Sequence, residues 1–319
     1  MKRVRFWGTR GSLPVALTAR EVRARVVAAL RGVAGRTLAS DAAIETYVDQ
    51  LDFAIAGTFG GHTACVEIET GEPGYVICDL GSGLRPFGQA ALARHGPAAP
   101  QRYDFFVSHM HWDHIMGLPF FGPAYIPGNR VTFHGGHEEL EMALRRQMER
   151  PSFPVDFSAL KADIRFVHLA PGVPHEVAGM SVTPLRQRHA GDSYGYRFEK
   201  DGRTVVYSTD SEHKIGDLPD AQRFVDFFRD ADLVVFDAMY SLADTISVKA
   251  DWGHSSNVMG VELCQAAGVA HLCLFHHEPA SDDATLSNVL ADTRRFEEIT
   301  RTGRPLRVSA AYDGLEIAL

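Results

Sequence analysis

The sequence predicts an α/β sandwich, two sheets packed face to face with helices outside. Three observations carry this. Short apolar runs bounded by Gly, Pro and Asp recur in both halves of the chain. Helix-periodic segments lie between and after them. The 319 residues, 45% hydrophobic and 23% charged, have the balance of an ordinary globular protein, which excludes disorder, collagen and coiled coil.

In the first half the strand candidates are Val4 to Trp7, Cys65 to Ile68, Tyr75 to Cys78, Tyr103 to Val107 and Val131 to Phe133. In the second half they are Ile164 to Val167, Met180 to Thr183, Tyr194 to Phe198, Thr204 to Tyr207, Leu233 to Phe236 and Leu272 to Phe275. Ser281 or Asp282 caps a helix whose Leu286, Val289, Leu290 and Phe296 share one face. Ser255 caps another that ends at Gly268. Residues 18–53 read as a helical insert, with Val22, Val26, Val27 and Leu30 at helix spacing. Such a segment packs on the body, covers a pocket or supports a homodimer. No linker divides the chain, so residues 1–319 are expected to form a single domain around that insert.

Charge limits the partners. Thirty-two Lys and Arg against 40 Asp and Glu give a formal charge of −8, the wrong sign for gripping bulk nucleic acid through its phosphates. No run approaches a membrane span, and the first residues lack the apolar stretch of a signal peptide. The four cysteines, Cys65, Cys78, Cys264 and Cys273, contain no C-x-x-C pair and are expected as reduced thiols in a cytoplasmic protein.

The chemistry is concentrated in histidine, present 15 times, about twice average usage. Directly after the apolar run Phe105-Phe106-Val107 comes Ser108-His109-Met110-His111-Trp112-Asp113-His114. Buried side by side, three imidazoles and a carboxylate would each need a separate partner to offset desolvation, whereas a divalent metal satisfies them together. Nitrogen and oxygen donors without thiolate suit an open, catalytic zinc site before manganese or iron, which the same donors also accept. Alternation puts His109 and His111 on one side of the extended chain. A turn then leaves Asp113 and His114 for a second ion.

H-x-H-x-D-H after an apolar strand resembles the signature of the metallo-β-lactamase superfamily. The stretches Phe6-Trp7-Gly8-Thr9-Arg10-Gly11-Ser12-Leu13-Pro14, Gly60-Gly61-His62-Thr63-Ala64-Cys65 and Asp79-Leu80-Gly81-Ser82-Gly83-Leu84-Arg85 are similar to its phosphodiesterase-like branch, which includes ribonuclease Z and cyclic-phosphate phosphodiesterases. The resemblance implies a four-layer αββα sandwich. It also implies two divalent ions, one held by His109, His111 and His189, the other by Asp113, His114 and His276, with Asp210 shared. His276 matches the family position better than the adjacent His277, and both stay open. Metal-bound hydroxide would be the nucleophile, since metal binding lowers the pKa of water from 15.7 toward ~7.

Gly253-His254-Ser255-Ser256 resembles the Gly-His-Ser-Thr element of the ribonuclease Z branch, which implies that His254 stabilises the transition state or protonates the leaving alkoxide. Asp79 is expected either to orient a ligating histidine or to cap its turn, and Asp237 either to orient His254 or to cap a loop. His62 departs from the branch's usual Gly-Gly-Asn-Thr. His95, His134, His137, His168, His175, His213 and His271 match no motif and read as surface or satisfied interior residues.

The expected function is therefore a dinuclear metal hydrolase, a phosphodiesterase cleaving a small, cyclic phosphodiester. Specificity would lie in the insert, in Met116 to Tyr125 and in residues 151–162. The first alternative is a lactonase or carboxyl-ester hydrolase, with Tyr194 or Tyr196 polarising a carbonyl. The second is a metal-binding relative without turnover. No G-x-G-x-x-G opens a helix after a strand, so nicotinamide and ATP chemistry find no support.

Overall fold

The computed structural model describes residues 1–214, 216–240 and 251–319. Two seven-stranded sheets form the centre. Across the first, in spatial order, run β14 (Glu316–Ala318), β1 (Arg3–Gly8), β2 (Cys65–Glu69), β3 (Tyr75–Cys78), β4 (Arg102–Val107), β5 (Arg130–Gly135) and β6 (Asp163–His168). Across the second run β13 (Arg307–Ala310), β12 (His271–Phe275), β11 (Leu233–Asp237), β10 (Arg203–Ser208), β9 (Ser193–Lys200), β8 (Met180–Gln187) and β7 (His175–Val177). The two sheets have the same plan: strands β3 to β6 and β10 to β13 pair in parallel, and the remaining neighbours are antiparallel.

Period-two alternation distributes the apolar residues among three cores. Val76, Cys78 and Phe106 meet Phe198, Val205, Tyr207, Val235 and Phe275 between the sheets. Ile77, Phe105 and Phe133 face the other way, onto Leu84, Phe87 and Phe121. Val206, Val234, Phe236 and Leu272 likewise face Phe224, Phe228, Val261 and Cys264 of the helices Leu218–Phe228 and Asn257–Ala266. Each central parallel strand is thus buried on both faces, which is why it reads as a continuous apolar run. The layers are helix, sheet, sheet, helix, the expected αββα sandwich.

All eleven expected strands are present. The three added ones, β7, β13 and β14, all lie on sheet edges. Strands of 3 or 4 residues with one wet face, such as His175-Glu176-Val177, carry too few apolar residues to announce themselves. The helix Asp283–Thr300 starts from Asp282, whose side chain accepts from Thr285 N. Asn257–Ala266 is capped by Ser256 and not by Ser255, because Ser255 Oγ donates instead to the Ser211 carbonyl.

Residues 18–53 form helices Ala19–Val33 and Asp41–Asp49, then a turn at Phe53–Ala56. Thr18 and Glu21 make a capping box, and Arg25 ties the first helix to Gly57 O and Asp283. The apolar stripe Val22, Val26 and Leu30 is exposed to solvent. All four cysteines are buried and free. Among the described residues no helix is long and apolar enough to cross a membrane.

Candidate metal centre

The carboxyl ends of the parallel strands from both sheets converge on one edge of the sandwich, where open α/β sheets place their sites. Strand β4 delivers Ser108 to His111 in extended chain, then one helical turn, Trp112–Ile115. Asp79 directly follows β3, Asp210 lies just past β10, and His276 directly follows β12. These three residues adopt the left-handed backbone region, with φ of 62°, 52° and 60°. Such strain costs about 1–3 kcal/mol per residue and persists where the surroundings over-determine it. Gly81 lets this edge close: a Cβ there would lie 2.4 Å from the Asp113 carbonyl oxygen.

The eight residues singled out from the sequence are brought together. Nitrogens of His109, His111 and His189 lie within 4.8 Å of one another, and so do the donor atoms of Asp113, His114 and His276. Asp210 stands between the two groups. Its Oδ1 is 3.8 Å from His109 Nε2 and 3.6 Å from His189 Nε2, while its Oδ2 is 3.2 Å from His114 Nε2 and 3.4 Å from His276 Nε2. His277 turns away, its Nε2 2.7 Å from the Ala311 carbonyl oxygen.

Other groups aim these side chains. Asp79, fully buried, accepts from His114 Nδ1, Ser108 N, Ser108 Oγ and Tyr207 Oη at 2.7–2.8 Å. His114 Nε2 is thereby left for the cluster. His189 Nδ1 donates to the Gly253 carbonyl at 2.8 Å. Gly253 has φ +84°, and a Cβ there would sit 2.3 Å from His189 Nδ1, so the glycine of Gly-His-Ser-Ser sets the ligating ring. Ser12, at φ 57°, donates its N–H to Asp113 Oδ2 at 2.7 Å. His254 Nδ1 donates to Asp237 Oδ2 at 2.8 Å, and its ring stacks on His276 with centroids 5.1 Å apart.

Sequence reasoning missed the aiming roles of Ser12, Ser108, Tyr207 and the Gly253 carbonyl. Backbone groups leave no residue-type signal, and Tyr207 reads as one more apolar strand residue. Of the two tyrosines proposed for carbonyl polarisation, Tyr196 needs correction: it is fully buried and its hydroxyl donates to Val107 O at 2.6 Å. The Tyr194 ring packs perpendicular to His137, with centroids 4.7 Å apart. His62 links two turns through Ser82 Oγ, 3.1 Å from its Nδ1.

The histidines without a motif have ordinary partners. His134 pairs with Asp104, and His137, His168 and His175 each hydrogen-bond a carbonyl. His213 and His271 meet Ser211 and Ser309, and His95 lies against Tyr75.

Electrostatics divide the cluster sharply. Burial alone would raise Asp210, yet the imidazoles of His276, His114 and His109 hold it well below the usual carboxylate range. Burial presses His109 well below its ordinary value, with His114 adding to the effect. His254 goes the other way: burial opposes its charge, but Asp237, Asp210 and Asp113 together hold it up to about 9.

These residues fit a divalent cation. His109 Nε2 is buried with no hydrogen-bond partner and belongs to the group formed with His114 and Asp210. A buried nitrogen lone pair among carboxylate oxygens, with no thiolate in the set, is the donor environment such an ion takes.

Fold and site together define the class, a metal-dependent hydrolase. Residues 76–277 match the model of the beta-lactamase superfamily domain, and the chain belongs to that superfamily. Its expected place in the phosphodiesterase-like branch is supported by ribonuclease Z of Acaryochloris marina, 25% identical over 252 residues covering 64% of this chain and 76% of the relative. Among solved structures, the metallo-beta-lactamase fold protein YhfI from Bacillus subtilis superposes with TM-score 0.64 at 16% identity, covering 100% of this chain and 99% of the other. The short form of human tRNase Z gives 0.57 at 18% identity, covering 99% and 98%. At these identities the likeness shows the fold.

Proposed function

We propose that the protein is a dinuclear metal-dependent phosphodiesterase that hydrolyses a small, cyclic phosphodiester to a monoester. The observation that carries the proposal is Asp210, whose two carboxylate oxygens face two separate histidine groups. His109, His111 and His189 would hold one ion, Asp113, His114 and His276 the other, and Asp210 both. Zinc suits these donors, and manganese or iron is accepted by the same set. When bound, such ions lower the pKa of water toward ~7 and neutralise charge on phosphoryl oxygens. In this reading residues 1–319 are one metallo-β-lactamase-like domain carrying 18–53 as an insert.

The rest follows from the chain's own groups. Asp79, Ser108 and the Gly253 carbonyl fix the ligating imidazoles before substrate arrives, so little reorganisation is needed at the moment of reaction. His254, its Nδ1 held by the Asp237 carboxylate, which favours the protonated ring against burial, would sit beside the cluster as the proton donor to the departing oxygen. Its charge also counters the charge developing on phosphorus-bound oxygens.

A second reading, an RNA phosphodiester, is favoured by the ribonuclease Z relatives. The formal charge of −8 supports the small substrate. The test is hydrolysis of bis(p-nitrophenyl) phosphate by zinc- or manganese-loaded protein, with Asp210→Ala as control. Lactones, 2′,3′- and 3′,5′-cyclic nucleotides and a short RNA run in parallel. Metal-dependent diester cleavage lost in the variant supports the phosphodiesterase, and the cyclic nucleotides against RNA decide its substrate. Lactone turnover without diester cleavage overturns it.

A further inference from the structure

Asp283, the first residue of the helix Asp283–Thr300, is a buried carboxylate surrounded by donors. Its Oδ1 accepts from Phe59 N at 2.8 Å and lies 3.7 Å from Arg10 Nη2, while its Oδ2 accepts from Arg25 Nη2 of the helical insert. One buried carboxylate thus pairs with two guanidiniums, one from the insert and one from the loop that follows β1. Removing one partner of a buried pair leaves an uncompensated charge, so the three residues hold one arrangement together. All three lie outside residues 76–277, the part of the chain that matches the superfamily model.

Arg10 is equally buried, and its Nε donates to Gly60 O at 2.9 Å and its Nη1 to Ser281 O at 2.9 Å and Glu278 O at 3.2 Å. The next two residues touch the cluster. Gly11 has no room for a side chain, because a Cβ would lie 2.5 Å from His276 Cε1, and its N–H donates to His277 O at 3.0 Å. Ser12, in left-handed backbone, gives its N–H to Asp113 Oδ2 at 2.7 Å. A left-handed serine persists only where its surroundings over-determine it, and Arg10 is the anchor two residues away. A second tie runs beside the first: Phe53 packs on Phe59 with centroids 4.8 Å apart, and Phe59 meets the His277 ring edge to face at 5.6 Å. These ties converge on Asp113 and His276, whereas His189 is aimed by the Gly253 carbonyl.

We propose that Asp283 and Arg25 are positioning residues, which together brace the loop Arg10 to Ser12 and so set the grip of Asp113 and His276 on their ion. The insert is then a brace for one of two metal groups and not a cover over the substrate. The proposal rests on the dinuclear reading of the cluster and is independent of which ester is cleaved. Neither residue touches substrate or a reacting atom. Each acts through the loop, as the partners behind a metal ligand commonly do.

The experiment is competition for zinc between the protein and a chelator, with bound metal counted by elemental analysis. Asp283→Asn and Arg25→Ala should each weaken one ion about tenfold, the lower end of the effect of losing a ligand's support, and leave the other as it was. Arg25→Lys keeps the charge and should recover most of the loss. Val26→Ser, on the same helix with its side chain 53% exposed, should change nothing. In a His276→Ala background, where the other ion remains, Arg25→Ala should be silent. Arg25 is partly exposed, so its variants decide the matter even where Asp283→Asn fails to fold. Turnover of bis(p-nitrophenyl) phosphate by Arg25→Ala should fall at limiting zinc and return at saturating zinc with KM unchanged. Two bound ions of unchanged affinity in Arg25→Ala overturn the proposal and leave the dinuclear reading standing. Equal weakening of both ions, or an equal loss in Val26→Ser, also overturns it, because the insert would then act on overall stability. A rise in KM that saturating zinc does not repair overturns it too, since the insert would then cover the substrate. A wild type that binds no second ion overturns both readings. The expected zinc affinities without cleavage of any diester support the brace and remove the phosphodiesterase.

Discussion

His254, partly exposed, donates Nδ1–H to Oδ2 of the fully buried Asp237 over 2.8 Å, while the histidine ring lies against His276. The carboxylate fixes the ring's orientation and favours its protonated form. A proton donor matters most when the leaving oxygen is a poor leaving group. His254→Ala is therefore expected to slow cleavage of an alkyl phosphodiester by ~10²–10⁴-fold. It should slow release of p-nitrophenolate much less. Asp237→Asn should move in the same direction by a smaller factor. Rates across a leaving-group series check this, and equal losses for both kinds of ester would remove His254 from the proton-donor role.

Two adjacent histidines separate cleanly. His276 Nε2 is 3.2 Å from Asp113 Oδ2 inside the cluster, whereas His277 is spent on Ala311. His276→Ala should lower bound metal by about one ion per chain, and His277→Ala should leave the metal content unchanged while lowering thermal stability. Elemental analysis of the purified variants decides. The reverse pattern would exchange the two residues.

Asp79 satisfies four donors from one fully buried carboxylate. Asp79→Asn cannot accept from all four, so His114 should lose its fixed tautomer. Metal affinity is expected to fall by ~10–100-fold, measured by competition with a chelator. Asp79→Ala adds unsatisfied buried donors, each costing about 1–3 kcal/mol, and should unfold at markedly lower denaturant.

A pH effect is expected far from the cluster. Burial, with Arg307 adding to it, lowers His271 from 6.5 to about 4, and its Nε2 shares a 2.7 Å hydrogen bond with Ser309 Oγ. Between these two values the unfolded chain binds a proton that the folded one does not. Stability therefore falls as pH drops from about 6.5 toward 4, by up to about 3 kcal/mol from this residue. His271→Gln should flatten that part of the stability profile in chemical denaturation. An unchanged slope would mean that His271 titrates normally in the fold.

Removing metal should loosen the protein itself. With a chelator the buried carboxylates and imidazoles lose their common partner, and the melting temperature should drop. Each ion restored at 100 times its Kd would return about 2.7 kcal/mol. A melting temperature indifferent to chelator would argue against ions at this cluster.

The sequence by itself determined the layers and the candidate ligands. Central strands such as Tyr75–Cys78 and Leu233–Asp237 are buried on both faces and must be apolar throughout, so they stand out in the chain. His109, His111, Asp113 and His114 lie within six residues on one strand end, a density that only shared chemistry explains. Only the tertiary structure decided how those residues are aimed. Asp79 meets Tyr207 across 128 positions and Ser12 meets Asp113 across 101, and nothing local links either pair. Backbone groups such as the Gly253 carbonyl are the same for every residue type, and so leave no trace in sequence. The choice of His276 over His277 turned on a single left-handed residue at a strand end, because rotating the chain there sends one ring to the cluster and the next to Ala311. Exposure is a tertiary property as well, which is why Trp112 reads as part of the metal motif and stands in solvent beside a cavity.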